Sequence, residues 1–169
     1  MRDLLTDSNA VISDCGQFRY ALTRRWGSGP TALFIMLNPS TADASDDDPT
    51  IRRCIAFAKR EGCGGLQVEN LYGFRATDPD QMFSKGEMAV GQTDRFILLA
   101  AADAPRPLIC AWGADRRAKA RAKRVTAYLK EWRATPMCLG RTKDGSPRHP
   151  LYVKGDAPLM PFDMEDSTF

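Results

Sequence analysis

The chain has 169 residues, of which 43% are apolar and 27% are charged, with a formal net charge of +3 and one histidine. This composition excludes a disordered chain, and the length suits one domain that spans residues 1–169. The longest apolar runs, at 31–37 and 96–102, are far shorter than the ~20 residues that a membrane-spanning helix needs. Residues 1–9 carry acids and lack the apolar region of a signal peptide, so we expect a cytoplasmic protein with no membrane partner.

The first half of the chain contains segments typical of both strands and helices. Residues 17–26 alternate polar and apolar side chains, which predicts a short β-ribbon at the edge of a sheet. The apolar run 31–37 predicts a strand that is buried on both faces. Asp48-Pro49 predicts the start of a helix, because an acid caps well and proline fits the first helical position. A second strand is predicted at 64–69.

The second half continues this alternation. The pattern predicts helical segments at 79–83, 93–103 and 114–132, strands at 106–112 and 135–139, and a flexible tail at 163–169. Strands that alternate with helices predict an α/β fold, a three-layer sandwich around a central, mostly parallel four-stranded sheet, with the short N-terminal β-ribbon added.

Three polar segments, 38–41, 70–75 and 146–150, follow predicted strands or lie in the last loop. In open α/β sheets ligands bind beyond the carboxyl ends of the strands, so we expect these segments to converge on one crevice.

The single histidine excludes any site that needs two imidazoles from this chain. A neutral His149 could donate a hydrogen bond to an oxygen on which charge develops, or it could be an ordinary loop residue. Asn38 precedes Pro39, which favours an extended backbone and a defined side-chain direction, although the same residues are typical of turns. Asn70 ends a predicted buried strand, where its amide could bind the edge of a base or join two loops. Tyr72 could stack on a base or pack internally.

Charged segments leave two further alternatives open. The acidic loop at 43–48 could bind a divalent cation, or it could be a solvated loop that caps a helix. The basic helix at 116–133 could bind the phosphates of DNA or a nucleotide, or it could be a solvated face. The five cysteines form no C-x-x-C pair, so we expect reduced and mostly packed thiols rather than a metal site, and no cofactor.

Several motifs together carry a resemblance to an uncharacterised bacterial and phage family, domain of unknown function 1643. They are Met36-Leu37-Asn38-Pro39-Ser40-Thr41-Ala42-Asp43, Asn70-Leu71-Tyr72-Gly73-Phe74-Arg75-Ala76-Thr77, Ala111-Trp112-Gly113 and His149-Pro150-Leu151-Tyr152. The order of these motifs is also distantly similar to the uracil-DNA glycosylase superfamily.

The glycosylase resemblance implies extrusion of a base and cleavage of its glycosidic bond. On this resemblance Asn38 orients the attacking water, His149 stabilises the departing base, and Asn70 selects the base. The residues that would contact the substrate are Pro39, Ser40, Asn70, Tyr72, Arg75, Gly113 and Leu151, the last near the position that fills the space left by an extruded base.

Three hypotheses follow for the function. The first is a glycosylase-like protein that recognises or excises a base in nucleic acid or in a nucleotide. The second is a module of the same fold that binds a nucleotide or nucleic acid without catalysis. The third is a metal-dependent hydrolase or transferase that uses the 43–48 loop. The sequence leaves the oligomeric state open.

Overall fold

The chain forms a seven-stranded mixed sheet in the order β1-β2-β4-β3-β5-β6-β7. The computed structural model describes residues 7–40, 42–103 and 106–162. The strands are β1 (Asp7–Ile12), β2 (Arg19–Arg25), β3 (Thr31–Met36), β4 (Gly65–Asn70), β5 (Leu108–Cys110), β6 (Pro136–Cys138) and β7 (Met160–Pro161). The four central strands, in the order β4-β3-β5-β6, are parallel to one another. The outer strands are added by antiparallel pairing, β2 to β4, β1 to β2 and β7 to β6.

Helices cover both faces of the sheet and make three layers. Among the described residues the α-helices are α1 (Pro49–Arg60), α2 (Pro79–Phe83), α3 (Thr93–Ala102) and α4 (Lys119–Glu131). Residues 32, 34 and 36 of β3 pack with α1 on one face, and residues 33 and 35 pack with α3 and α4 on the other. This period of two explains the continuous apolar run, because a strand that is covered on both faces needs apolar side chains at every position.

Helix α1 begins as its sequence predicts. Asp48 is the N-cap and accepts a hydrogen bond from the backbone N of Ile51 at 2.8 Å, and Pro49 is the first helical residue. Asp48 therefore satisfies one of the backbone N–H groups that a helix N-terminus leaves without a partner.

The sheet is larger than the predicted four strands: β3, β4, β5 and β6 form its parallel centre, and three antiparallel strands extend it to seven. The segment predicted as an edge ribbon, 17–26, contains β2, which lies inside the sheet because it pairs with β1 on one side and with β4 on the other. The edge strands β1 and β7 were missed, since β1 is mostly polar and exposed and β7 has two residues, one of them proline. No helix in the described ranges is long and apolar enough to cross a membrane.

Four of the five cysteines are packed in the interior. All five are free, Cys15 is exposed, and Cys54, Cys63, Cys110 and Cys138 are buried. The predicted flexible tail, 163–169, lies outside the described residues.

Candidate functional site

A cavity of about 630 Å³ opens at the edge of the sheet where β3, β4 and β5 end. Parallel pairing brings these carboxyl ends together, as expected for a ligand site in an α/β sheet. Six of the nine site residues predicted from sequence line this cavity, namely Asn38, Ser40, Asn70, Gly113, His149 and Leu151.

Asn38 presents a fixed hydrogen-bond acceptor. Its Nδ2 donates to the backbone O of Ala76 at 2.9 Å and to that of Pro39 at 3.1 Å. These two bonds use the donor side of the amide and hold the side chain in one orientation. The carboxamide Oδ1 is therefore the atom that can accept a hydrogen bond from a water or a ligand.

Asn70 is the last residue of β4 and is only 1% exposed. Neither its Nδ2 nor its Oδ1 has a hydrogen-bond partner among the described residues. A buried polar group without a partner costs about 1–3 kcal/mol, so such groups are rare in folded proteins. The unpaired amide therefore marks a donor and an acceptor, side by side, that a ligand can satisfy.

His149 is held in one neutral form. Its Nδ1 accepts a hydrogen bond from the backbone N of Leu151 at 3.2 Å, so the neutral ring carries its proton on Nε2. Burial lowers the pKa of His149 below its usual value, and the nearby Asp48 carboxylate opposes this shift to a smaller extent. The ring is thus neutral at pH 7, with its Nε2–H as a donor.

The loop that carries His149 is tied to two elements of the fold. The backbone N of Gly113 donates to the O of Pro147 at 2.9 Å, and Arg53 of α1 donates through Nε to the O of Pro150 at 3.2 Å. Gly113 has a φ of +81°, a conformation that favours glycine, and a Cβ there would lie 3.7 Å from that of His149. This end of β5 therefore places the His149 loop over the cavity.

Ser40 and Asp48 form a polar pair on the cavity wall. The Ser40 hydroxyl donates to Oδ2 of Asp48, while Oδ1 of the same carboxylate accepts from the backbone of α1. Both oxygens of Asp48 are therefore engaged by the protein itself.

Three predicted contact residues do not line the cavity. Tyr72 is buried on the face covered by α3 and α4, where its ring packs edge-on against Phe83 with centroids 5.4 Å apart. Arg75 lines a shallower depression that adjoins the cavity at Ser40. Pro39 is buried, and its carbonyl accepts the bond from Asn38.

The cavity is also lined by two buried residues with polar side-chain atoms that sequence patterns did not single out as site residues. Arg19 of β2 is 2% exposed and Trp112 is 3% exposed. The Nε of Arg19 and the Nε1 of Trp112 lack partners among the described residues. Trp112 could have been found from its place at a strand end, beside Gly113, whereas Arg19 lies within an alternating strand pattern and carries no such signal.

The acidic loop acts as a structural element. The Oδ1 of Asp43 accepts from two backbone N–H groups of its own loop, and Asp47 forms a 2.8 Å salt bridge with Arg24. Within the described ranges, no group of three or more His, Cys, Asp or Glu could hold a metal ion. The structure therefore agrees with the interpretation of this loop as a helix-capping segment.

The basic helix is less available than its sequence indicates. Arg117, Lys119 and Arg121 form ion pairs with acidic side chains of the chain. Arg121 is also buried, and its Nε donates to the backbone O of Leu71 at 2.7 Å. Lys123 and Arg124 lie on the exposed side.

A family model described as a protein of unknown function, DUF1643, matches residues 19–151. The chain belongs to the DUF1643 family. No match to it was found among the curated proteins or among the solved structures. In this DUF1643 protein the matched span begins at Arg19 and ends at Leu151. This span contains every described residue that lines the cavity except Tyr152.

Proposed function

We propose that this DUF1643 protein recognises a nucleic-acid base in its cavity and cleaves the N-glycosidic bond between that base and its sugar. The observation that carries the proposal is the arrangement of Asn38, Asn70 and His149 around one cavity, with the Asn70 amide unpaired. The distant resemblance to uracil-DNA glycosylases assigns roles to the same three residues.

Recognition of the base is supported by the form of the cavity. A volume of about 630 Å³ lies within the range of roughly 300–1,000 Å³ that is usual for small-molecule sites. The unpaired donor and acceptor of Asn70 can bind the donor–acceptor edge of a planar base. Asn70 would thus select among bases, because a mismatched edge leaves the buried amide unsatisfied.

The chemistry is a hydrolysis of the glycosidic bond. The bond between the anomeric carbon and the ring nitrogen breaks, both electrons stay on the nitrogen, and a water oxygen bonds to the anomeric carbon. Asn38 Oδ1 would orient this water by accepting one of its hydrogens. His149 would donate its Nε2–H to an oxygen of the departing base, where negative charge develops. The proton that the water loses passes to solvent, and the released base takes up a proton from solvent.

A polymeric substrate would be bound by the rim of the cavity. Leu151 and Tyr152 are 43% and 77% exposed beside His149. Leu151 would occupy the space that an extruded base leaves, and Lys123 and Arg124 of the basic helix would bind phosphates of DNA. A free nucleotide would use the cavity alone.

A module that binds a base or nucleotide without cleaving it is the second candidate. The observation that favours it is the engagement of both Asp48 oxygens by Ser40 and by the backbone of α1. These bonds hold the carboxylate in a structural role at the start of α1 and make it a weaker acceptor for a proton from water.

Base release from oligonucleotides that contain uracil, mismatched thymine and a panel of modified bases tests the proposal, with abasic sites detected by alkaline cleavage. We expect Asn38→Ala and His149→Ala to lose about 100-fold or more in rate, as for the loss of one oriented catalytic group. Asn9→Ala, at an exposed position on β1, is the matched control and retains the activity.

Two outcomes would point to the alternatives. Nucleotide binding without any base release over the whole panel would favour the non-catalytic module. Activity that a chelator removes, and that an added divalent cation restores, would favour the metal-dependent hydrolase.

A further inference from the structure

Arg19 reaches the cavity because strand β2 contains a β-bulge. Val11 pairs with Ala21, but Ile12 pairs with Arg19, so that Tyr20 is an extra residue in β2. Such a bulge changes which face of the sheet the following side chains point to. Arg19 consequently lines the cavity on the α1 side, whereas Tyr20 stacks on Phe96 of α3 on the other side.

The guanidinium of Arg19 is buried without an ionic partner. It is 2% exposed, it donates from Nη1 to the backbone O of Ala42 at 2.6 Å, and its Nε has no partner within the described residues. None of the salt bridges in this part of the chain includes Arg19. A buried cation without an anion is expensive, so proteins rarely keep one without a use for it.

No carboxylate among the described residues forms a salt bridge with Arg19. Asp48 lines the same cavity and its negative charge partly opposes the lowering of the Arg19 pKa by burial, but its two oxygens accept hydrogen bonds from Ser40 and from α1 and not from the guanidinium. Burial raises the pKa of Glu69 to about 8, so that this carboxyl is mostly protonated at pH 7. Burial also lowers the pKa of Arg19 to about 10, which still leaves it protonated at pH 7.

We propose that Arg19 is the anion-binding residue of the cavity and that the ligand places a negatively charged oxygen against its guanidinium. This inference rests on the proposed function in one respect, namely that the ligand is a base or a nucleotide. It does not require that the protein cleaves the glycosidic bond. Two parts of such a ligand carry this chemistry. One is an exocyclic oxygen of a base that has become an anion, and the other is the phosphate of a nucleotide. A guanidinium binds two oxygens of a phosphate through parallel hydrogen bonds, and it can donate to an exocyclic oxygen of a base anion.

Binding of two ligand pairs to the full chain, measured by calorimetry at one pH near 7.5, tests the proposal. The first pair is 5-nitrouracil, which is anionic at that pH, and uracil, which is neutral. The second pair is deoxyuridine 5′-monophosphate and deoxyuridine. Each pair is measured with the unchanged chain, with Arg19→Gln and with Arg19→Lys. Arg95→Gln, an exposed arginine on α3, is the matched control.

We expect the unchanged chain and Arg95→Gln to bind the charged member of one pair about tenfold or more tightly than the neutral member. Arg19→Gln should abolish this preference and Arg19→Lys should keep part of it. A preference within the first pair assigns Arg19 to a base anion, and a preference within the second assigns it to a phosphate. Each variant is compared by the ratio of its affinities for the two ligands of a pair. A general loss of stability would weaken both affinities and leave this ratio unchanged.

The proposal is overturned if the unchanged chain shows no preference for charge in either pair, or if Arg19→Gln keeps the preference. Its failure is separable from that of the proposed function. A charge preference without base release would retain the role of Arg19 and remove the catalysis, whereas base release that is indifferent to Arg19→Gln would remove the role of Arg19 alone.

Discussion

Replacing Asn70 by leucine should make the unliganded protein more stable while removing its ability to bind a base. Asn70 ends β4, is 1% exposed, and has no partner for either polar atom within the described residues. The native protein therefore carries the desolvation cost of an amide and gains no hydrogen bond in return. Leucine is of similar size and has no such cost, and it is better suited to a strand.

The expected gain follows from this unpaired amide. Burying an unsatisfied polar group costs about 1–3 kcal/mol, so Asn70→Leu should raise the free energy of unfolding by about that amount. For a chain of this size the change corresponds to a Tm increase of roughly 2–12 °C. Substitution of a residue whose polar groups bind a ligand typically increases stability and reduces function.

Urea denaturation and thermal denaturation of the unliganded protein measure the effect, and base release or ligand binding measures the loss. Asn38→Leu is the matched control, because the Asn38 amide donates to two carbonyls and its removal should destabilise the protein by about 1–3 kcal/mol. If Asn70→Leu destabilised the protein as much as Asn38→Leu, the Asn70 amide would have a structural partner and would not be reserved for a ligand.

Two further predictions concern charged groups outside the cavity. The pKa of Glu69 is raised by burial from 4.5 to about 8, so the folded state holds a proton that the unfolded state releases, and stability should fall by a few kcal/mol as the pH rises from about 4.5 to 8. Glu69→Gln should flatten this part of the stability–pH profile measured by urea titration, and an unchanged slope would contradict the assignment. Arg121→Ala should destabilise the protein by about 3–5 kcal/mol because it leaves buried partners unpaired, whereas exposed Arg124→Ala should change stability by less than about 0.5 kcal/mol. Similar losses of stability for the two variants would show that the buried contacts of Arg121 contribute little.

Local sequence signals were sufficient for most of the helices and central strands. Helix α1 begins where an acid precedes a proline, and β3 corresponds to a continuous apolar run. These elements were predictable because capping and double-sided burial act through neighbouring residues. The edge strands β1 and β7 were not, because their pairing depends on partners far away in the sequence and their composition is not typical of strands.

In the candidate site, too, some residues could be predicted from the sequence and others could not. Asn38, Asn70 and His149 could be singled out because polar residues follow predicted strands or lie in the last loop, and those residues line one cavity. The position of Tyr72 could not be predicted from the sequence. A residue that follows a strand can lie on either face of the sheet, and the packing of the whole sheet decides which. The sequence left open whether the basic helix is a phosphate-binding surface or a solvated face, because a sequence does not show that Arg121 is buried and donates to the backbone of Leu71.

The sequence by itself determined the alternation of strands and helices, the presence of a single imidazole, and the polar residues at the strand ends. These properties follow from composition and from contacts between near neighbours. The tertiary structure alone decided that Asn70 is unpaired, that Asp48 is engaged on both oxygens, and that a bulge at Tyr20 brings Arg19 into the cavity. Each of these depends on strand register and on long-range packing, and a shift of one residue in register would turn Arg19 to the opposite face of the sheet.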